Sequence, residues 1–336
     1  MGSGALWWRR EGSGYTGSAT LGPLAPEASL DLGMQRASLR AFLEHASTAA
    51  AMRALPLVAF LVLVGCATSA PPPEAAPPGP SFLSISEIET VVSADSGRFV
   101  REDRNRAPGQ LLLGRTGLVL TGVVAQTTRD VNSVVALPVD VPVYSEPCGE
   151  ENAYYNYVDD YIVICDDLVA AFDRWLVDIE DPEQRNDLLW GGLEFITLHE
   201  MGHALVDQFE LPVLGRNEDA ADLLAAYFAV RSGDTDRVTG GLVYFLSTMQ
   251  DRIAEAGPEF IAYWGQHGLS EQRMAATACY LYGSNPQRYG YLVGTAALPL
   301  DPASEYGAQR LYACQREYSL AVRDIERVLA PHARAE

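Results

Sequence analysis

Five consecutive residues, His199-Glu200-Met201-Gly202-His203, carry the most specific chemistry in the sequence. They lie in an apolar helical pattern with Leu193, Ile196, Leu198, Ala204 and Leu205. Helical residues four apart share a face, so both imidazoles can turn a ring nitrogen to one metal ion. Glu200 stands beside them, within reach of a water in the ion's open position, where a carboxylate serves as general base. A catalytic zinc needs a third protein ligand, commonly His or Glu. The stretch Gly215 to Asp222 offers one. The histidine helix ends near Glu210, Leu211 to Gly215 turns, and Asn217 caps a second helix with Glu218 in its first turn. The helix dipole favours acidic residues there. An antiparallel return brings Glu218 back to the metal. Asp222, four residues on, shares its face and can accept the other ring N–H of His199, fixing that ring's tautomer and orientation. The expected centre is therefore one Zn2+ held by His199, His203 and Glu218. Ordinary helix-start acidity on a solvated face is the plainer account of Glu218 and Asp222, and the histidine pair upstream argues against it.

The elements that must position these residues can be read in outline. Leu118 to Val135 has apolar residues near helical spacing. Pro138 to Tyr144 reads as extended, with its prolines assigning it to a sheet edge. Tyr161-Ile162-Val163-Ile164-Cys165 is a buried-strand signal, and Asp166-Asp167 cap a helix through Leu176. Helices are expected over 188–209, from Asn217 through Val230, and over 235–256, 270–283 and 304–330. Residues 81–113 hold one or two strands or a short helix. A few strands followed by mostly helices predict an α+β fold in one domain, residues 81–336.

The chain has 336 residues, 48% of them hydrophobic, and a formal net charge of −20 with no lysine. So acidic a surface repels nucleic acid, and no basic patch compensates. Met52-Arg53, the apolar run Ala54 to Val64 and then Leu63-Val64-Gly65-Cys66 follow the order of an export signal. The run is too short to span a bilayer comfortably. The last four residues resemble a lipobox, the bacterial lipoprotein signal, which implies a diacylated Cys66 as the mature first residue. Ala67 after it favours an outer-membrane address by the same resemblance. Residues 52–66 are then the signal, and the Pro/Ala-rich 67–80 a semi-rigid tether. Residues 1–51 read as a misassigned start or a leader. The expected setting is an exported lipoprotein at the outer membrane or its periplasmic face. The remaining cysteines, Cys148, Cys165, Cys279 and Cys314, allow three pairings as two disulfides. Nearest-neighbour pairing, 148 with 165 and 279 with 314, is the one favoured, because each pair brackets a short stretch.

Asn217-Glu218-Asp219-Ala220-Ala221-Asp222 after the histidine pair resembles the gluzincins, the thermolysin-like metallopeptidases. These use HExxH followed by an Asn-Glu-x-x-x-Asp helix. The separation between the two motifs is shorter here, so the turn must be compact. Over most of residues 140–320 the chain also resembles a bacterial family of unknown function classed with metallopeptidases in the zincin clan. The resemblance rests on Cys148, Asn152-Ala153-Tyr154-Tyr155, Cys165, Leu211 to Gly215, Cys279 to Gly283 and Cys314 to Tyr318, besides the two motifs. It implies a mostly helical zincin-like domain with a small sheet beside the HExxH helix, acting on a peptide or protein. One departure follows Cys165, where Asp166-Asp167 stands in place of a Cys-Tyr-Glu-type continuation. His267, in the loop Tyr263 to Leu269, is either a catalytic group stabilising an oxyanion over the site or a surface histidine. Arg273 would support it. Asn152 to Tyr155 either lines the cleft with an edge for extended substrate or forms the core of a hairpin. Two functions remain in play: zinc-dependent peptide hydrolysis with Glu200 as base, and a non-catalytic zinc-binding envelope protein, in which His267 would be a fourth ligand.

Overall fold

The unbroken apolar run at 161–165 becomes a strand covered on both faces, with Ile162, Val163 and Ile164 wholly buried. The computed structural model describes residues 97–102, 115–233, 239–248 and 264–334. The expected leader, signal and linker, most of 81–113 and part of the expected helix 235–256 lie outside the described residues. The described strands are β1 (Phe99–Arg101), β2 (Val141–Glu146), β3 (Ala153–Asn156) and β4 (Tyr161–Cys165), in the sheet order β1-β2-β4-β3. β1, β2 and β4 run parallel, and β3 folds back antiparallel to β4 with Ala153 opposite Ile164 and Asn156 opposite Tyr161. β3 is thus an edge strand.

The prolines of 138–144 do not put their strand on an edge, because β2 is paired on both sides. Val141 and Val143 turn their backbone groups to β1: Val141 N–H donates to Arg98 O, and Val143 O accepts from Glu102 N–H. Backbone groups alternate sides along a strand, so Pro142 faces β4. It lies one residue before that ladder opens at Val143 opposite Ile162, and its missing N–H removes no rung.

Helices cover the sheet. They are α1 (Arg115–Asn132), α2 (Asp166–Trp175), α3 (Pro182–Gln208), α4 (Asn217–Ser232), α5 (residues 239–248), α6 (Ser270–Ser284), the short α7 (Pro286–Tyr289) and α8 (Glu305–Leu329). The arrangement is the mostly helical α+β fold expected, with the small sheet beside α3. Asp166 and Asp167 sit in the first turn of α2 and do not cap it. The cap position is Cys165, and Asp167 Oδ2 instead accepts the backbone N–H groups of Cys148 and Gly149 at 3.1 and 2.9 Å. Cys148 is bonded to Cys165, and Cys279 to Cys314 across α6 and α8. Closing loops of 17 and 35 residues stabilises such links by about 3 kcal/mol or more in the loop-entropy account. Paired cysteines belong to an oxidising, extracytoplasmic compartment. Among the described residues no helix is long and apolar enough to cross a membrane.

α3 is the spine of the molecule. Asp181 caps it by accepting from Glu183 N–H at 3.0 Å, and Pro182 supplies a preset first residue, so it begins six residues before the expected start. From Leu188 to Leu205 every residue except Trp190 is buried, as befits a helix walled in on all sides. Leu211 cannot stay helical before Pro212, and the chain turns with Glu210 in the left-handed region at φ 48°. The most extensive helix contact is α3 against α4. There Gly202 lets the backbones meet, since a Cβ on it would lie 3.0 Å from both Ala221 Cα and Ala221 O. Gly202→Val therefore forces the two helices apart. We expect a loss of about 1–3 kcal/mol in urea unfolding, typical of overpacking, together with less than one bound metal ion per chain. Parent-like stability and metal content would show that this contact does not set the spacing.

Candidate metal centre

The close approach of α3 and α4 brings three side chains to a point. His199 Nε2 and His203 Nε2, one helical turn apart on α3, are 3.1 Å from each other. Glu218 Oε2, in the first turn of α4, lies 3.2 Å from the former and 3.4 Å from the latter. A tetrahedral ion with ordinary zinc–nitrogen and zinc–oxygen bonds holds its ligands about 3.3 Å apart, which is the size of this triangle. All three donor atoms fall within 4.8 Å of one another. Glu218 Oε2 is buried and makes no hydrogen bond of good geometry, although imidazole nitrogens surround it. A cation at the centre satisfies that arrangement better than protons do.

Each of the two histidines is held from behind. His199 Nδ1 contacts Asp222 Oδ1 at 2.8 Å. Arg273 clamps Asp222 with two bonds of 2.7 Å, from Nε to Oδ2 and from Nη2 to Oδ1, and its guanidinium sits 4.7 Å from the Phe245 ring centroid. Arg273 therefore supports Asp222 and, through it, His199. His203 Nδ1 lies 3.1 Å from the Tyr157 hydroxyl, which also accepts from Asn217 Nδ2 at 3.2 Å. Asn217 is the first residue of α4, with Arg216 at the cap position, so its side chain bonds Tyr157 and does not cap the helix. With Nε2 turned to an ion, His203 Nδ1 carries its proton to the Tyr157 oxygen. Tyr157 stands in the β3–β4 turn, and nothing in its local sequence marks it.

Charge is tightly balanced. Burial opposes ionisation of Glu218, but its contacts with His199, His203 and His267 hold its carboxyl well below the usual range. Burial likewise opposes Asp222, and Arg273 with His199 holds it down. Burial also opposes a charged His199, yet Asp222 and Glu218 outweigh it and raise its pKa to about 9. The raised His199 pKa means that an ion binding there would compete with a proton. Glu200, next to His199 and buried, is pushed up chiefly by burial, with His199 and His203 opposing. A cavity of about 30 Å3 touches Glu200, His199, Asn152, Ala153 and Tyr244, enough for one water. Tyr244, on α5, was also not legible in the sequence; burial drives its hydroxyl up to about 12.

His267 is not a surface histidine. Its Nε2 lies 2.5 Å from Glu218 Oε2, and its side chain is mostly buried. It stands outside the compact donor group, however, and meets that group through Glu218. Asp222→Asn replaces an acceptor oxygen of the His199 support and weakens the Arg273 clamp. We expect metal affinity to fall about 10–100-fold, read by competition with a chromophoric chelator. Tyr157→Phe, which removes the support of His203, should weaken it less. Unchanged affinity in both would refute the orienting roles.

No curated protein and no solved structure matches the chain. One family does, over residues 110–329: DUF4344, described as "Putative metallopeptidase". That span contains both motifs, the Asp222–Arg273 support and the two disulfides. The chain belongs to this metallopeptidase family.

Proposed function

We propose that the protein is a zinc-dependent peptidase of the gluzincin type, with His199, His203 and Glu218 as ligands and Glu200 as general base. The triangle of donor atoms with Glu200 beside it carries this reading. Two nitrogens and one carboxylate oxygen suit zinc, which when bound supplies Lewis acidity to a carbonyl oxygen and to water. The protein's own residues do the rest. Glu200, its carboxyl raised by burial, accepts a proton from the attacking water and delivers it to the leaving amine. Asp222 holds His199, and Tyr157 holds His203, each with Nε2 facing inward. His267, whose Nε2 meets Glu218 Oε2, would stabilise the oxyanion of a tetrahedral intermediate only by turning from Glu218 towards it. β3, the edge strand of the described sheet beside α3, is where an extended peptide backbone would lie.

The competing reading, a protein that keeps the metal and cleaves nothing, draws on the 2.5 Å contact of His267 with Glu218. Activity separates the two. The purified chain should carry about one zinc and cut members of a peptide pool. Glu218→Ala should lose the zinc. Glu200→Gln should keep it and lower kcat/KM at least about 100-fold. Zinc-loaded parent that cuts no peptide would leave the binding reading, and cleavage that survives Glu200→Gln would remove the assigned base.

In the same reading Cys66 carries a lipid that anchors the domain to the envelope, by resemblance of Leu63 to Cys66 to a lipobox. Cys66→Ser should abolish fatty-acid labelling and move the protein from the membrane to the soluble fraction. Continued labelling would exclude this anchor.

A further inference from the structure

Large apolar side chains left in water mark surfaces that bind something. The described residues expose nine of them, and four, Tyr157, Val158, Leu214 and Trp264, come from the β3–β4 turn, the α3–α4 turn and the described segment 264–269, beside the candidate metal centre. Val158 and Trp264 are each 79% exposed, and Leu214 wholly so. The loops converge on the ligands. The β3–β4 turn reaches His203 and Asn217 through the Tyr157 hydroxyl. Leu214 lies three residues before Asn217 in the α3–α4 turn. Trp264 lies three residues before His267, whose ring meets Glu218. Gly268, next in that loop, sits so close to the α3–α4 turn that a Cβ on it would meet Arg216 Nη1 at 3.1 Å. A cavity of about 510 Å3 shares Arg216, Asp219 and Gly268 with these loops and is lined further in by Leu223, Ala226 and Ala276. It has room for a bulky apolar side chain.

The same rim is acidic. Among the described residues of these loops, Asp159, Glu210 and Asp219 are exposed against one arginine, Arg216, in a chain of net charge −20. An apolar surface of this charge repels a second copy of itself and an anionic lipid surface, and attracts a cation-bearing chain. We infer that the rim selects the substrate: a cationic, apolar polypeptide whose bulky side chains pack on Val158, Leu214 and Trp264 while its Lys and Arg residues face the acidic groups. This rests on the peptidase reading above and adds the class of peptide it takes.

The test uses two short synthetic peptides with identical apolar residues, one bearing Lys and the other Glu at every polar position. Binding is read by fluorescence anisotropy on the full, zinc-loaded chain carrying Glu200→Gln, so that neither peptide is cut. The Lys peptide should bind at least about tenfold tighter than the Glu peptide, and the gap should shrink as salt rises. Trp264→Ser and Leu214→Ser should each weaken Lys-peptide binding several-fold, whereas Val177→Ser, an exposed apolar residue beyond the end of α2, should leave it unchanged. Thermal unfolding of the three variants confirms that each is folded. Equal or tighter binding of the Glu peptide, or equal effects of all three substitutions, would overturn the inference. Cleavage by the parent is scored separately. If the parent cuts both peptides equally well, rim selection fails and the peptidase reading stands. If the Lys peptide binds as expected but is never cut, the peptidase reading fails and the docking surface stands.

Discussion

The structure depends on how closely α3 and α4 approach. Gly202, in the middle of the histidine pair, faces the backbone of Ala221, in the middle of the segment that bears Glu218 and Asp222. A side chain on Gly202 would press on the Ala221 backbone and separate the helices. Donor atoms 3.1–3.4 Å apart would then drift beyond the reach of one ion. Small residues at this crossing make it possible for two helices to share one metal centre. The compact turn from Phe209 to Arg216 makes the return short enough to align Glu218 with His199 and His203.

That approach places ionisable groups where a helix buried on all sides would ordinarily carry none. The arrangement is tolerable because Asp222, Glu218 and Arg273 each have a counterpart. Asp222 lies between Arg273 and His199, Glu218 lies among imidazoles, and Arg273 rests on the face of Phe245. Glu200 differs. Its carboxyl is raised mainly by burial, as would suit the general base proposed. Two carboxylates near one another on neighbouring helices thus receive opposite treatment. Glu218, the candidate ligand, is held towards its ionised form, and Glu200 is left easier to protonate.

The sheet bears none of the candidate ligands but supports them from one side. β4 is tied by Cys165 to Cys148 and anchors β3, and the β3–β4 turn carries Tyr157 to the outer nitrogen of His203. Asp167 secures the start of this unit by accepting two backbone N–H groups at 148–149. A disulfide, a carboxylate and a short hairpin therefore hold one wall of the centre while α4 holds the other.

The sequence by itself determined what local periodicity can express. Two histidines four apart must share a helical face, a Glu four residues before an Asp must share another, and a five-residue apolar run must be buried. These rules placed α3, α4, β4 and the candidate ligands with no tertiary information. Tertiary structure alone decided the rest. The interior place of β2 depended on which side of the strand Pro142 faces, which no local rule gives. The role of Arg273 lies 51 residues from its partner Asp222, and Tyr157 reaches His203 across 46 residues. His267 was legible as a candidate yet undecided, because a loop residue has no periodicity to say what it faces. Contacts between distant segments are set by how helices and strands pack, and packing depends on side-chain volume summed over the whole core.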